Sequence, residues 1–369
     1  MRIGILTFHR ATNYGAILQT YGLVSYLENC GYDVKVVDYK PYGMGMLYSP
    51  LNVSPLFRKL KRIVLNIYML PSFLQRKKKR DMYWDYIKRI LPLTNTVSTI
   101  DDLPDMDAFI VGSDQVWSTK FTGGVDKFYW GQFERKDARL ISYAGSAAED
   151  MNNSFYETDN VLLLNSFDSI SVREFELKDY LQTNLSHKKI TKVLDPTLLA
   201  GKSVFEKLIN GEKVIDKSYI LIYQVIREKD IEIQQFARKK AKELSCDIYE
   251  IINGRLYITS GCRRKSQKGF INPTTFVNLF KHAKYIITTS FHGTAFSLLF
   301  NRPFSVISVN SEVDSRAADI LSELGLIEKL ITLPITDLCK EDKIDWNDIN
   351  YKLEMLRKPS MCFLEDALR

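Results

Sequence analysis

Apolar residues fall in short runs, separated by segments in which apolar positions recur at helical spacing. The opening run RIGILTF has the pattern of a buried strand. AILQTYGLVSYLENCG follows as a helix stopped by Gly31, and DVKVVDY as the next strand. A strand, a helix and a strand in so short a span form a βαβ unit and predict a mainly parallel sheet. AFIVGS (108–113), ARLISYAGS (138–146), SISVRE (169–174) and KVLDPTLL (192–199) extend the series as strands ending in small or polar residues.

A second series follows. YILIYQVI (219–226), DIYEII, KYIITTS and FSVISV have the pattern of strands, and KDIEIQQFARKKAKELS, NPTTFVNLFKHA (272–283) and SRAADILSELGL that of helices. GCRRKSQKGF (261–270) has no apolar periodicity and is expected to be a basic loop, either solvated or closing over an anionic ligand. Two α/β series predict two Rossmann-like domains facing a cleft. The first covers 1–205 with a helical insertion at about 42–100, and the second 206–345. Residues 346–369 are expected as helices broken at Pro359 that return to the first domain. The series show no sequence repeat.

Within the insertion, residues 55–91 form two basic, aromatic-containing helices separated by Pro71. A solvated charged face explains them. Apolar Leu60, Ile63, Val64 and Ile67 beside the run Arg76–Arg80 also suit contact with an anionic membrane surface. No nucleic-acid motif accompanies the charge, so nucleic acid is not expected as a partner.

Composition changes this picture little. The chain has 369 residues, 45% of them hydrophobic and 26% charged, enough for two full cores. A net charge of +7 suits an anionic small substrate, an acidic membrane surface or nucleic acid alike. Five scattered cysteines without a C-x-x-C pair argue against a zinc or disulfide framework. MRIGILTF enters a strand directly, without the pattern of a signal peptide, so a cytoplasmic location is expected.

Candidate chemistry gathers where strands give way to helices. ITTSFHGTAFSLLF (287–300) places Ser290, Phe291, His292, Gly293 and Thr294 at such a junction. The first amides of a helix point outward at the positive end of its dipole, which favours anions. Gly293 permits close approach, Ser290 and Thr294 offer hydroxyls, and His292 can clamp or donate a proton. A capping histidine satisfied by backbone is the plainer alternative. NYGA supplies Asn13, Tyr14 and Gly15 to meet a ligand or to cap a helix, and it is not a G-x-G-x-x-G loop. GSDQVW supplies Asp114 and Gln115, as base, sugar-hydroxyl acceptor or helix cap. Arg173 ends a strand beside Glu174, a ready salt-bridge partner, and Asp195 before Pro196 reads as a turn. The histidines are dispersed and no D-x-D cluster occurs, so no metal is expected.

NYGAILQTYGL, VGSDQVW, SYAGS, SVRE, LDPTLL, NPTTFVNLFKHAKYIITTSFHGTAFSLLF and SRAADILSELGL, in this order, resemble the polysaccharide pyruvyl transferase family. The resemblance covers roughly residues 3 to 326. It implies a glycosyltransferase-B-like fold, phosphoenolpyruvate as donor (a co-substrate, with no cofactor) and a sugar acceptor that becomes a pyruvate ketal. It matches His292 and Arg173 to residues associated with phosphoenolpyruvate, with Asp114 and Asn13 facing the acceptor. It departs at Ser290, because members carry an arginine two residues before that histidine. Arg316, Lys265 and Arg263 are the candidates to replace that charge. Surface-polysaccharide precursors are commonly built on polyprenyl diphosphate, which implies peripheral association with the inner membrane face. A nucleotide-sugar glycosyltransferase, with Glu312 or Asp314 holding the ribose, and a non-catalytic membrane-associated relative are the competing readings.

Overall fold

The alternating strands pair into two seven-stranded sheets, each the centre of its own unit. The computed structural model describes residues 1–39, 70–147, 158–209, 211, 213–260, 263–309, 312–334 and 343–369. The first expected basic helix, Cys262 and Cys339 lie outside the described residues, as do the side chains of Glu312 and Asp314.

Unit 1 comprises Met1–Pro196 and Met361–Arg369. Its strands are β1 (Arg2–Leu6), β2 (Asp33–Tyr39), β3 (Leu93–Val97), β4 (Ala108–Asp114), β5 (Arg139–Gly145), β6 (Ser169–Val172) and β7 (Ile190–Lys192). They lie in the order β3-β2-β1-β4-β5-β6-β7. Every pairing is parallel, with Ile3 opposite both Val34 and Ala108. The order reverses at β1/β4, the switch point beside which ligands bind in such sheets. β4 is buried from Ala108 to Ser113, because a parallel sheet is covered on both faces. Its core includes Leu6, Val111, Trp117, Trp130, Leu140 and Ile170. The first helix, Tyr14–Asn29, ends as expected, with Gly31 at φ 89° and its amide donating to the Glu28 carbonyl.

Unit 2 comprises Thr197–Ser360. Its strands are β8 (Tyr219–Tyr223), β9 (Asp247–Ile252), β10 (Arg255–Ser260), β11 (Arg263–Phe270), β12 (Tyr285–Thr288), β13 (Phe304–Ile307) and β14 (Leu330–Ile331), in the order β11-β10-β9-β8-β12-β13-β14. The pairings from β9 through β8, β12 and β13 to β14 are parallel, and β9, β10 and β11 form an antiparallel meander. Ile220, Ile222, Ile233, Ala237, Ile287 and Ile307 form one core cluster. Phe205, Phe276 and Phe280 pack around Phe296 with ring centroids 5.1, 5.8 and 5.9 Å away.

Four expectations are corrected. Residues 263–270 form an edge strand instead of a loop. All but its last residue are exposed, so no burial marked it in the sequence. KVLDPTLL is not a strand: β7 ends at Lys192, and Pro196 opens a short helix, where its missing N–H costs nothing. The last helix runs unbroken from Trp346 to Leu368 through Pro359, with buried Ile349, Leu353, Leu364 and Leu368 holding it on both sides. The unit boundary falls at Pro196/Thr197 rather than 205/206, because Phe205 packs on Phe296 and Leu198 accepts from Arg357.

Candidate functional site

In unit 1 the carboxyl ends of β4, β6 and β7 bring Asp114, Arg173, Glu174 and Asp195 together. Arg173 is 5% exposed. Its Nε donates to Glu174 Oε1 at 3.0 Å and its Nη1 to Asp195 Oδ2 at 3.0 Å, while Nη2 lies 3.8 Å from Asp114 Oδ1. Burial alone would lower the Arg173 pKa, but Glu174, Asp195 and Asp114 raise it well above the usual range. Three carboxylates around one guanidinium leave a net charge of −2. The expected bidentate clamp on a phosphorylated acid is therefore not the arrangement found. Arg173 acts as the counter-ion that holds the carboxylates together, and Asp195, expected as a mere turn, is one of them.

Asp114 adopts φ 80°, a left-handed conformation rare outside glycine, and its Oδ1 accepts from the Gln115 amide at 2.9 Å. Asn13 is the cap of the first helix, its Oδ1 accepting from the Gly15 amide at 2.8 Å. Gly15 and Tyr14 are buried. Tyr14 packs on Tyr83 at 5.4 Å between ring centroids, which corrects its assignment to the acceptor.

Tyr83 belongs to the helix Leu70–Ile90, the described part of the basic insertion. Trp84 on the same helix lies under the Arg10 guanidinium, 4.3 Å from its ring centroid. The basic helix is thus seated on the segment that leaves β1. Lys77, Lys78 and Leu74 on it are exposed. Arg10 in turn grips Asp38 through two bonds of 2.7 and 2.6 Å, and buried His9 contacts the same carboxylate at 2.9 Å. Burial would raise the Asp38 pKa, but hydrogen bonds from His9, Arg10 and Thr96 hold it well below the carboxylate range. His9, Arg10 and Asp38 were not singled out from the sequence, and only the β1–β2 register unites them.

In unit 2 the turn after β12 is built as its sequence suggested. Ser290 caps the helix Phe291–Leu299, its Oγ accepting from the Gly293 amide at 3.4 Å. A Cβ on Gly293 would lie 2.2 Å from Thr288 Oγ1, so glycine is required for close packing. Thr294 donates to the Ser290 carbonyl at 3.2 Å and is fully buried. The Ser290 and Thr294 hydroxyls therefore build the turn and are not offered to a ligand. His292 is half-buried in the first turn, its ring 5.3 Å from that of Phe291.

Thr289 ties this turn to the segment after β8. Its Oγ1 accepts from the Val225 and Ile226 amides at 3.1 and 3.3 Å and donates to the Ile226 carbonyl. This brings Arg227, which sequence reasoning missed, to the same edge of the sheet. Arg227 and Arg264 share Asp230 and the fully buried Glu250, a charge-balanced cluster completed by Gln224 and Gln234. Lys265 and Arg263 sit on β11, four strands from β12, or about 19 Å across the sheet. The structure does not bring them to His292. Arg316 lies on the helix after β13, the neighbour of β12, and is half-buried.

The model of the family described as polysaccharide pyruvyl transferase matches residues 13–311. The chain belongs to this family. The match spans the carboxylate cluster and the His292 turn alike, and membership supports pyruvyl transfer in polysaccharide biosynthesis. No curated protein compared with the chain matches it. Among solved structures, a UDP-N-acetylglucosamine 2-epimerase aligns with 99% of this chain and 94% of its own at 12% identity and TM-score 0.50. Staphylococcus aureus MnaA, in a co-structure with UDP, aligns over 97% and 90% at 14% identity and TM-score 0.46. UDP-GlcNAc 2-epimerase from Neisseria meningitidis bound to UDP-GlcNAc aligns over 97% and 100% at 14% identity and TM-score 0.43. At these identities the likeness is one of fold. This pyruvyl transferase family member accordingly has a glycosyltransferase-B-like fold of two parallel-dominated α/β units. Among the described residues no helix is long and apolar enough to cross a membrane.

Proposed function

We propose that the protein transfers the pyruvyl group of phosphoenolpyruvate to two hydroxyls of a sugar in a surface-polysaccharide precursor carried on polyprenyl diphosphate. The observation that carries the reading is the turn after β12, where a half-buried histidine opens a helix at the carboxyl edge of a parallel sheet. Such an edge with a helix amino end suits a phosphorylated carboxylic acid. Unit 2 holds the donor, with His292 on the phosphate and as proton donor, and Arg227 and Arg316 as the cations nearest in the fold. Unit 1, whose cluster is anionic, holds the neutral acceptor. No cofactor or metal is invoked.

In the reaction C3 of the enol takes a proton and one sugar hydroxyl bonds to C2, losing its own proton. The second hydroxyl then displaces phosphate from C2, and its proton leaves with the phosphate. The exposed lysines of the helix Leu70–Ile90 face an anionic membrane, which keeps the enzyme at the cytoplasmic surface where its acceptor lies.

Thermal melting with ligands tests the donor. Phosphoenolpyruvate should raise the melting temperature in proportion to the logarithm of its concentration, whereas uridine and guanosine nucleotides should not. Stabilisation by a nucleotide alone would indicate a glycosyltransferase. His292→Ala should lower turnover at least about a hundredfold. A folded variant of near-normal rate would remove His292 from proton transfer.

A further inference from the structure

Glu174 enters the sequence pattern only as a neighbour that could neutralise Arg173. The structure gives it two different oxygens. Oε1 accepts from Arg173 Nε at 3.0 Å and from Ser146 Oγ at 2.8 Å. Oε2 is buried, and among the described residues no group donates to it. A buried polar atom without a partner costs about 1–3 kcal/mol, more when charged. Folded proteins rarely keep one unless a ligand, water or reaction uses it.

The surrounding charge narrows what that ligand is. Arg173 is already engaged by Glu174, Asp195 and Asp114, so the cluster repels a phosphate or carboxylate. A neutral hydroxyl meets no such penalty, and its O–H can donate to Oε2. The position fits as well. Glu174 follows Arg173 at the carboxyl end of β6, the edge at which parallel sheets bind ligands.

We infer that Glu174 is the base for the acceptor, its Oε2 receiving the proton of the sugar hydroxyl that attacks C2 of phosphoenolpyruvate. This rests on the pyruvyl-transfer reading given above. As the hydroxyl oxygen bonds to C2, its O–H bond breaks towards Oε2 and the C2=C3 electron pair takes up a proton at C3. Glu174 returns the proton it gained to solvent before the next turnover. Arg173 and Ser146 are positioning residues: both hold Oε1 and so aim Oε2.

The test uses the full-length enzyme, phosphoenolpyruvate and a panel of methyl hexopyranosides as acceptor probes. Phosphate release gives the rate, and saturation-transfer NMR gives glycoside binding. Glu174→Gln should lower kcat at least about a hundredfold, leave KM for phosphoenolpyruvate within about twofold, and abolish the acid limb of the pH–rate profile. A folded Glu174→Gln enzyme that keeps both its rate and its acid limb overturns the assignment. Should Glu174→Gln fail to fold, Glu174→Asp takes its place. It keeps the titrating group but withdraws Oε2, so a large loss of kcat with the limb retained supports the inference and an unchanged rate overturns it.

If the wild type binds a glycoside but releases no phosphate, the pyruvyl-transfer reading falls while the hydroxyl site stands. Weaker glycoside binding by Glu174→Gln then supports that site, and equal binding removes it. If the wild type neither binds nor turns over any of the glycosides, the inference is wrong.

Discussion

Replacing Arg173 by Met would distinguish a counter-ion from a substrate clamp. At an effective dielectric constant of about 20, a carboxylate 3.0 Å from the guanidinium gains about 5 kcal/mol and one at 3.8 Å about 4. Desolvation and repulsion among the three carboxylates offset most of that sum, so removing the arginine should destabilise the fold by about 3–5 kcal/mol. For a domain of this size that is a fall of roughly 6–20 °C in melting temperature. The loss should shrink between about pH 8 and about pH 5, because protonation relieves the carboxylates that Arg173 no longer neutralises. Differential scanning fluorimetry at both pH values, with KM for phosphoenolpyruvate measured below the melting range, reads both quantities. A variant that melts with the wild type while its KM rises tenfold or more would restore the clamp and refute the counter-ion.

Three further outcomes follow from the geometry. Gly293→Ala should destabilise by about 1–3 kcal/mol through its contact with Thr288, and Thr288→Ala should relieve part of that cost; strictly additive losses would show that the two do not touch. Asp38, whose folded pKa is depressed, contributes stability that is full above its unfolded value of about 4 and is lost as pH falls through the folded value. Asp38→Asn should therefore be less stable than the wild type at neutral pH and converge on it in acid, and parallel acid-denaturation curves would contradict this. Each lysine near an anionic bilayer contributes about 1 kcal/mol, so Lys77→Glu with Lys78→Glu should cut flotation with anionic liposomes at least about tenfold; unchanged flotation would leave the basic helix as a solvated face.

The elements legible in the sequence were those whose burial imposes a period. β1, β4, β8 and β12 are continuous apolar runs because helices cover both faces of a parallel sheet. The turn at 290–294 was legible because capping and close packing each demand a residue type, Ser290 for the one and Gly293 for the other. β11 was not, since an exposed edge strand has no buried face to write into a pattern. Pro359 misled because a local rule was outweighed by packing on both sides of it.

By itself, then, the sequence determined the family, the two α/β series and the histidine at a helix amino end, all of which rest on local spacing and residue type. Only the tertiary structure decided what the charged groups do. Arg173 and Glu174 are adjacent in sequence, but Asp114 and Asp195 join them from β4 and beyond β7, and that convergence turns an expected anion clamp into an anionic cluster. Arg227 reaches the edge where His292 lies only because a threonine hydroxyl bridges two parallel strands' ends. The sum of charge around a point depends on distances through space, which the order of residues along a chain does not contain.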